Sequence, residues 1–192
     1  MTHNATRYLY LARHGQALPD ESGLTDTGRR QATRLGERLR DVPLSVVHHG
    51  PLARAAQTAA LVGEQLDGVP LRESAMAGDY VPYAPDEHEL PAESAGYLLR
   101  FLEGYTEQER REGEALARQA LKAFTGSAEG DGEVHELVVT HNFLVGWLVR
   151  AALHAPPWRW LGLNHDNAAL TVLCYAPDRL PSLRLWNDTG HL

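Results

Sequence analysis

The chain has little cysteine, little positive charge and no long apolar run. Its single cysteine, Cys174, excludes an intrachain disulfide framework. Cys174 sits in the run Leu170-Thr171-Val172-Leu173-Cys174-Tyr175, where it reads as a buried packing residue rather than a nucleophile. Lys and Arg number 18 against 25 Asp and Glu, a formal net charge of −7 that argues against nonspecific nucleic-acid binding. Any anion site must therefore be a local positive pocket. No stretch approaches a membrane span, and the polar segment Met1 to Arg7 lacks the apolar core of a signal peptide. A cytoplasmic protein without a membrane partner is the default expectation. His48, His49, His88, His135, His154 and His165 show no paired ligand spacing on a shared helix and read as nonmetal residues. No repeat, low-complexity tract or linker divides the chain, so residues 1–192 read as one domain with a sizeable core.

What is present alternates between strand and helix. Tyr8 to Ala12 is almost wholly apolar, as in a buried central strand. From Gly28 to Arg40, Ala32, Leu35 and Leu39 recur at helical spacing, with Thr25 or Thr27 available as a cap. Leu44 to His48 reads as a second strand and the alanine-rich Leu52 to Leu66 as a helix. Ala75 to Pro91 has prolines, acids and tyrosines without a period, the signature of a loop that overhangs a pocket. Ala92 to Phe124 is helical with a break near Gly104, and Gly126 to Gly132 is a surface turn. Val134 to Thr140 is a strand, Phe143 to Leu153 a buried helix, and Ala168 to Tyr175 with Leu183 to Trp186 an antiparallel hairpin. Such an order gives a mixed sheet with helices on both faces.

The first strand runs straight into Arg13-His14-Gly15-Gln16. In an open α/β sheet the carboxyl ends of strands hold the ligand. A guanidinium there can fork two oxygens of a phosphate, an imidazole can be nucleophile or base, and a glycine lets backbone approach closely. A tripeptide alone recurs by chance, but three further segments follow in order. They are Leu24-Thr25-Asp26-Thr27-Gly28-Arg29-Arg30, Gly50-Pro51-Leu52-Ala53-Arg54-Ala55, and Val138-Val139-Thr140-His141-Asn142.

Together these segments resemble the histidine phosphatase, or phosphoglycerate mutase-like, superfamily, from Tyr8 to about the C-terminus. The resemblance implies a three-layer αβα sandwich with a mixed, mostly parallel central sheet. It makes His14 the nucleophile that becomes phosphohistidine, with Arg13, Arg54, His141, Gly15 and Gln16 binding phosphate and His141 also stabilising the transition state. His14 must attack as neutral imidazole, and Arg13 and Arg54 should hold its pKa down. No metal or cofactor is implied. Glu73 lies where the family places the general acid, and Asp79 competes for that role because the residues after Glu73 depart from the family pattern.

Two further departures concern the substrate. Gly50 replaces a common serine, removing one hydroxyl contact, and Asp20 stands where the mutases carry an asparagine, so that its carboxylate would repel a second acidic group. The segments Asn167 to Thr171 and Asn187 to Leu192 resemble the branch containing the superfamily's mitochondrial serine/threonine phosphatase, which implies a phosphoprotein or other bulky substrate. A metal-independent phosphomonoester hydrolase acting on a phosphorylated small molecule or phosphoprotein is the resulting expectation. The alternatives are a phosphoglycerate-type mutase and a phosphate-binding protein without turnover. Oligomeric state is not legible.

Overall fold

The computed structural model describes residues 4–192, so only the last part of the polar segment 1–7 falls within it. The elements run β1 (Asn4–Arg13), α1 (Asp26–Leu39), β2 (Leu44–His49), α2 (Ala53–Gly63), β3 (Leu71–Glu73), α3 (Ala92–Leu102), α4 (Glu107–Phe124), β4 (Ala128–Glu129), β5 (Glu133–Thr140), α5 (Asn142–Ala152), β6 (Leu170–Tyr175) and β7 (Ser182–Asp188). The main sheet has the order β3-β2-β5-β1-β6-β7, and β4 pairs with the start of β1. From β3 to β1 the strands are parallel; β6 and β7 are antiparallel additions.

Period-two alternation along the central strands divides the core into two layers. Leu9, Leu11, Val138 and Leu173 share one cluster with Ala117, Ala120 and Phe124 of α4 and Leu144, Val145 and Leu148 of α5. Ala12, Leu137, Val139 and Val172 share the other with Leu35 and Leu39 of α1 and Ala55, Ala59 and Val62 of α2. Helices therefore cover both faces, as the three-layer expectation requires. The α5 helix is apolar nearly all round because it is buried among the sheet, α4 and the 3-10 turn Pro157–Trp160. Between the candidate caps of α1 the structure chooses Thr25, whose Oγ1 accepts from the Gly28 amide at 3.0 Å. A Thr106–Glu109 capping box starts α4 and fixes the break after α3.

Some boundaries differ from the sequence reading. The stretch 126–132 is not only a turn, because Ala128 and Glu129 pair with Ala5 and Asn4 and extend β1 at its start. The loop 75–91 contains two 3-10 turns, Ala75–Ala77 and Glu87–Glu89. Arg72 and Glu73 lie on an edge strand, paired with His48 and His49. Cys174 is only partly buried, although Leu173 and Tyr175 on either side of it are buried.

Register places the site. Arg13 pairs with Thr140 across β1 and β5, and His49 pairs with Val139 across β2 and β5. The three strands end at one edge, and the residues that follow, His14, Gly50 and His141, emerge together. His14 N–H donates to the Thr140 carbonyl at 2.9 Å and Gly50 N–H to the Val139 carbonyl at 3.1 Å, so both loops are tied down where they leave the sheet.

Candidate active site

A cleft of about 410 Å³ opens at this edge, lined by Arg13, His14, Gln16, Glu21, Arg54, Asp79 and Asn167 among others. His14 is 7 % exposed, Arg54 5 % and His141 1 %, so two imidazoles and a guanidinium are withdrawn from water in one place. The His14 and His141 rings lie 5.0 Å apart between centroids.

The tautomer of His14 follows from its partner. Nδ1 lies 2.7 Å from the Gly15 carbonyl oxygen, which can only accept, so the proton is on Nδ1 and the Nε2 lone pair is free. Burial, followed by the neighbouring His141, Arg13 and Arg54, holds the His14 pKa down to about 4. The ring is neutral at pH 7 as the sequence argument requires, although desolvation outweighs the two arginines. His141 is held down to about 3, again by burial first and then by Arg54 and Arg13. Neither of its ring nitrogens has a hydrogen-bond partner among the described residues, and Nδ1 faces Asp79 Oδ2 at 3.5 Å. A buried, unpartnered imidazole costs stability unless a ligand uses it.

Close packing against α1 explains why Gly15 is glycine. A Cβ there would stand 2.4 Å from the Gly28 carbonyl oxygen, so the His14 loop is pressed onto the start of α1. Gly15 N–H donates to Thr58 Oγ1 at 3.0 Å, and that hydroxyl donates to the Arg54 carbonyl at 2.7 Å, coupling the His14 loop to α2. Gln16 is tied to α1, its amide to Gln31 Oε1 and its side chain to Thr25. Arg13 Nη1 donates to the His165 carbonyl at 2.6 Å, and the Asn167 side chain to the His14 carbonyl at 3.0 Å. Ala168, in the left-handed region at φ 55, places its amide against the Arg13 and His14 carbonyls.

Arg54 carries the electrostatic load of the cleft. Its Nη1 meets Glu21 Oε2 at 3.0 Å and its Nη2 meets Asp79 Oδ2 at 2.8 Å. Glu73, by contrast, is exposed at the end of β3 and is not among the residues that line the cleft. The structure thus brings together Arg13, His14, Gly15, Gln16, Arg54, His141 and Asp79, and leaves Glu73 outside. Asp20 is turned away as well: its Oδ1 accepts from the Ser22 amide and hydroxyl, and the acid that faces the cleft is Glu21. At Gly50 the difference from serine is steric, because a Cβ would lie 2.4 Å from the Ala77 carbonyl and 3.3 Å from His141 Nε2. Glu21, Thr58 and Asn167 escaped the sequence reading; they come from a turn, a helix interior and a strand lead-in, and only folding brings them together. Among the described residues no three His, Cys, Asp or Glu side chains gather as a metal site.

A strand-end cleft with a free imidazole nitrogen, two guanidinium groups and a second buried imidazole defines a phosphoryl-handling α/β protein. The chain belongs to the histidine phosphatase superfamily (branch 1), whose family model matches residues 9–189. Among curated proteins it is 32% identical over 193 residues to the mitochondrial serine/threonine-protein phosphatase Pgam5 of Caenorhabditis briggsae, covering 98% of this chain and 65% of that one. The chain therefore spans a little under two thirds of that relative's length. Among solved structures, a mycobacterial hydrolase superposes with TM-score 0.71 at 23% identity, over 95% of this chain and 99% of that one. Mycobacterial glucosyl-3-phosphoglycerate phosphatase does so with TM-score 0.68 at 23% identity, over 96% and 100%. The structural matches carry the fold. The relatives' names correct the cytoplasmic expectation, because a protein matching 98% of this chain is named mitochondrial. That expectation rested on the lack of a signal-peptide core, of a membrane span and of a disulfide framework in the sequence.

Proposed function

We propose that the chain is a metal-independent phosphomonoester hydrolase that works through phosphohistidine on His14, with Asp79 rather than Glu73 as the acid and base. The observation that carries the reading is the free Nε2 of His14, fixed by the Nδ1 bond to Gly15 and set among Arg13, Arg54 and His141. Nε2 attacks phosphorus and the ester P–O bond breaks. The leaving oxygen takes a proton from the Asp79 carboxyl, which is in its acid form once the phosphate has displaced it from Arg54. Water then attacks the phosphohistidine, Asp79 takes its proton, and inorganic phosphate leaves with His14 restored. Arg13, Arg54 and His141 hold the phosphoryl oxygens, supplying the charge that the transferring group needs.

Glu21 and Asp79 occupy Arg54 before substrate arrives, so binding a phosphate dianion exchanges carboxylate oxygens on Arg54 for phosphoryl oxygens. The relatives' printed names favour a phosphorylated serine or threonine of a protein as the ester. The test is a survey of phosphate release from phosphopeptides, sugar phosphates and phosphoglycerates, with a His14→Ala control. His14-dependent release of inorganic phosphate supports the hydrolase. Return of phosphate to the substrate instead of water favours a mutase, and tight phosphate binding without turnover favours a binding protein.

A further inference from the structure

A second cavity of about 320 Å³ lies against α4 and shares Asp79 with the phosphate cleft. Its apolar lining comes from Leu52 before α2, Tyr80 and Val81 after the first 3-10 turn, and Tyr105 and Leu116 beside and on α4. The Tyr80 hydroxyl is spent on the Met76 carbonyl at 2.7 Å, so the ring offers carbon to the cavity. Tyr105 stands edge-on to Phe101 and Phe143, and Phe143 to Trp160, which continues the aromatic surface away from the cleft.

The charged residues lining this cavity are Asp79, Glu109 and Glu112, all acids. Glu109 is held in the α4 cap, accepting from the Thr106 amide and hydroxyl at 2.7 Å each. Glu112 is exposed and accepts from Gln108 Nε2 at 2.8 Å. Arg13 and Arg54, the cations of the cleft, do not line this second cavity.

From these observations we infer that the cavity receives the leaving alcohol of the ester and selects an apolar alcohol without an anionic group. The inference rests on the hydrolase reading above. In-line attack expels the ester oxygen on the side of phosphorus opposite His14, and that oxygen must meet the acid. Asp79 stands where the two cavities join, so the carbon attached to the oxygen continues into the apolar one. Burial against Leu52, Tyr80 and Tyr105 favours carbon. A carboxylate or second phosphate would lose hydration there and meet like charge, with no cation among the described lining residues to pair it.

The experiment compares kcat/KM for 2-phenylethyl phosphate and its para-carboxylate analogue in the full chain and in Glu112→Lys. The uncharged ester is expected to lead by at least about tenfold in the wild type, a discrimination of the size that an unpaired charge imposes. Glu112→Lys is expected to narrow the ratio by about threefold or more, and added salt to erode that change, as for an exposed charge. Equal use of the two esters overturns the inference, and so does a ratio indifferent to Glu112→Lys. If p-nitrophenyl phosphate is hydrolysed through His14 while the ester pair shows no preference, the cavity's role alone falls. If no ester is hydrolysed through His14, the hydrolase reading falls and the inference with it.

Discussion

The imidazole of His14 donates from Nδ1 to the carbonyl oxygen of Gly15, its own neighbour, across 2.7 Å. That short local bond decides which nitrogen does the chemistry. Enzyme quenched in alkali during turnover should carry acid-labile phosphate on Nε2 of His14 and not on Nδ1, and phosphorus NMR of the isolated peptide distinguishes the isomers. His14→Ala should lose turnover and keep its fold, because the ring sits at the cleft and outside both apolar clusters. Phosphate on Nδ1, or more than trace activity in the alanine variant, would falsify the assignment.

Arg54 divides its guanidinium between Glu21 and Asp79 through separate nitrogens. Lysine keeps the charge but lacks the fork, so it cannot hold two oxygens in one plane. Arg54→Lys is expected to lower kcat/KM by roughly 10²-fold or more, by comparison with removal of one transition-state donor. Steady-state kinetics on an aryl phosphate measures it, and near-normal activity would show that charge alone suffices.

The strands, the helices and most residues that meet at the cleft are legible because each lies in a local pattern with a physical cause. Leu9 and Leu11 alternate with residues of the opposite face, and Leu35 and Leu39 recur at helical spacing. Arg13 ends β1, His14 follows it directly, and His141 directly follows β5. The family frame points to Glu73, with Asp79 as its competitor, and the exposure of Glu73 at the end of an edge strand is what favours Asp79 in the proposal. Glu73 closes the three-residue edge strand, and a 3-10 turn carries the chain from there to the cleft at Asp79. Asp20 misled, since adjacent residues in a tight turn face different ways, and it is Glu21, at φ 58, that faces Arg54.

Three buried histidines make folding sensitive to acid. Burial is the first cause that holds His14 down to about 4, His141 to about 3 and His165 to about 4. The unfolded chain takes up these protons near the ordinary histidine pKa of about 6.5, whereas the folded chain refuses them until the pH is far lower. Their contribution to stability is therefore complete above pH ~6.5 and is lost as the pH falls through the folded values, with a slope of at most about 4 kcal/mol per pH unit for three protons. Denaturant midpoints at pH 7, 6 and 5 should decline steadily. A flat midpoint across that range would show that the rings are protonated in the folded state.

The remaining prediction separates Asp79 from Glu73. Asp79 Oδ2 lies 2.8 Å from Arg54 and 3.5 Å from His141, at the junction of the phosphate cleft and the apolar cavity, and Glu73 is exposed outside the cleft. A general acid contributes typically ~10²–10⁴-fold, and it matters most when the leaving group is a poor one. Asp79→Asn should therefore cripple hydrolysis of an alkyl phosphate and harm p-nitrophenyl phosphate far less, because nitrophenolate leaves without a proton. The loss common to both esters reports the altered contact with Arg54, and the ratio between them reports proton transfer. Glu73→Gln should leave that ratio near the wild-type value. If Glu73→Gln shows the leaving-group dependence and Asp79→Asn lowers both rates equally, Asp79 only orients Arg54 and the proton comes from Glu73.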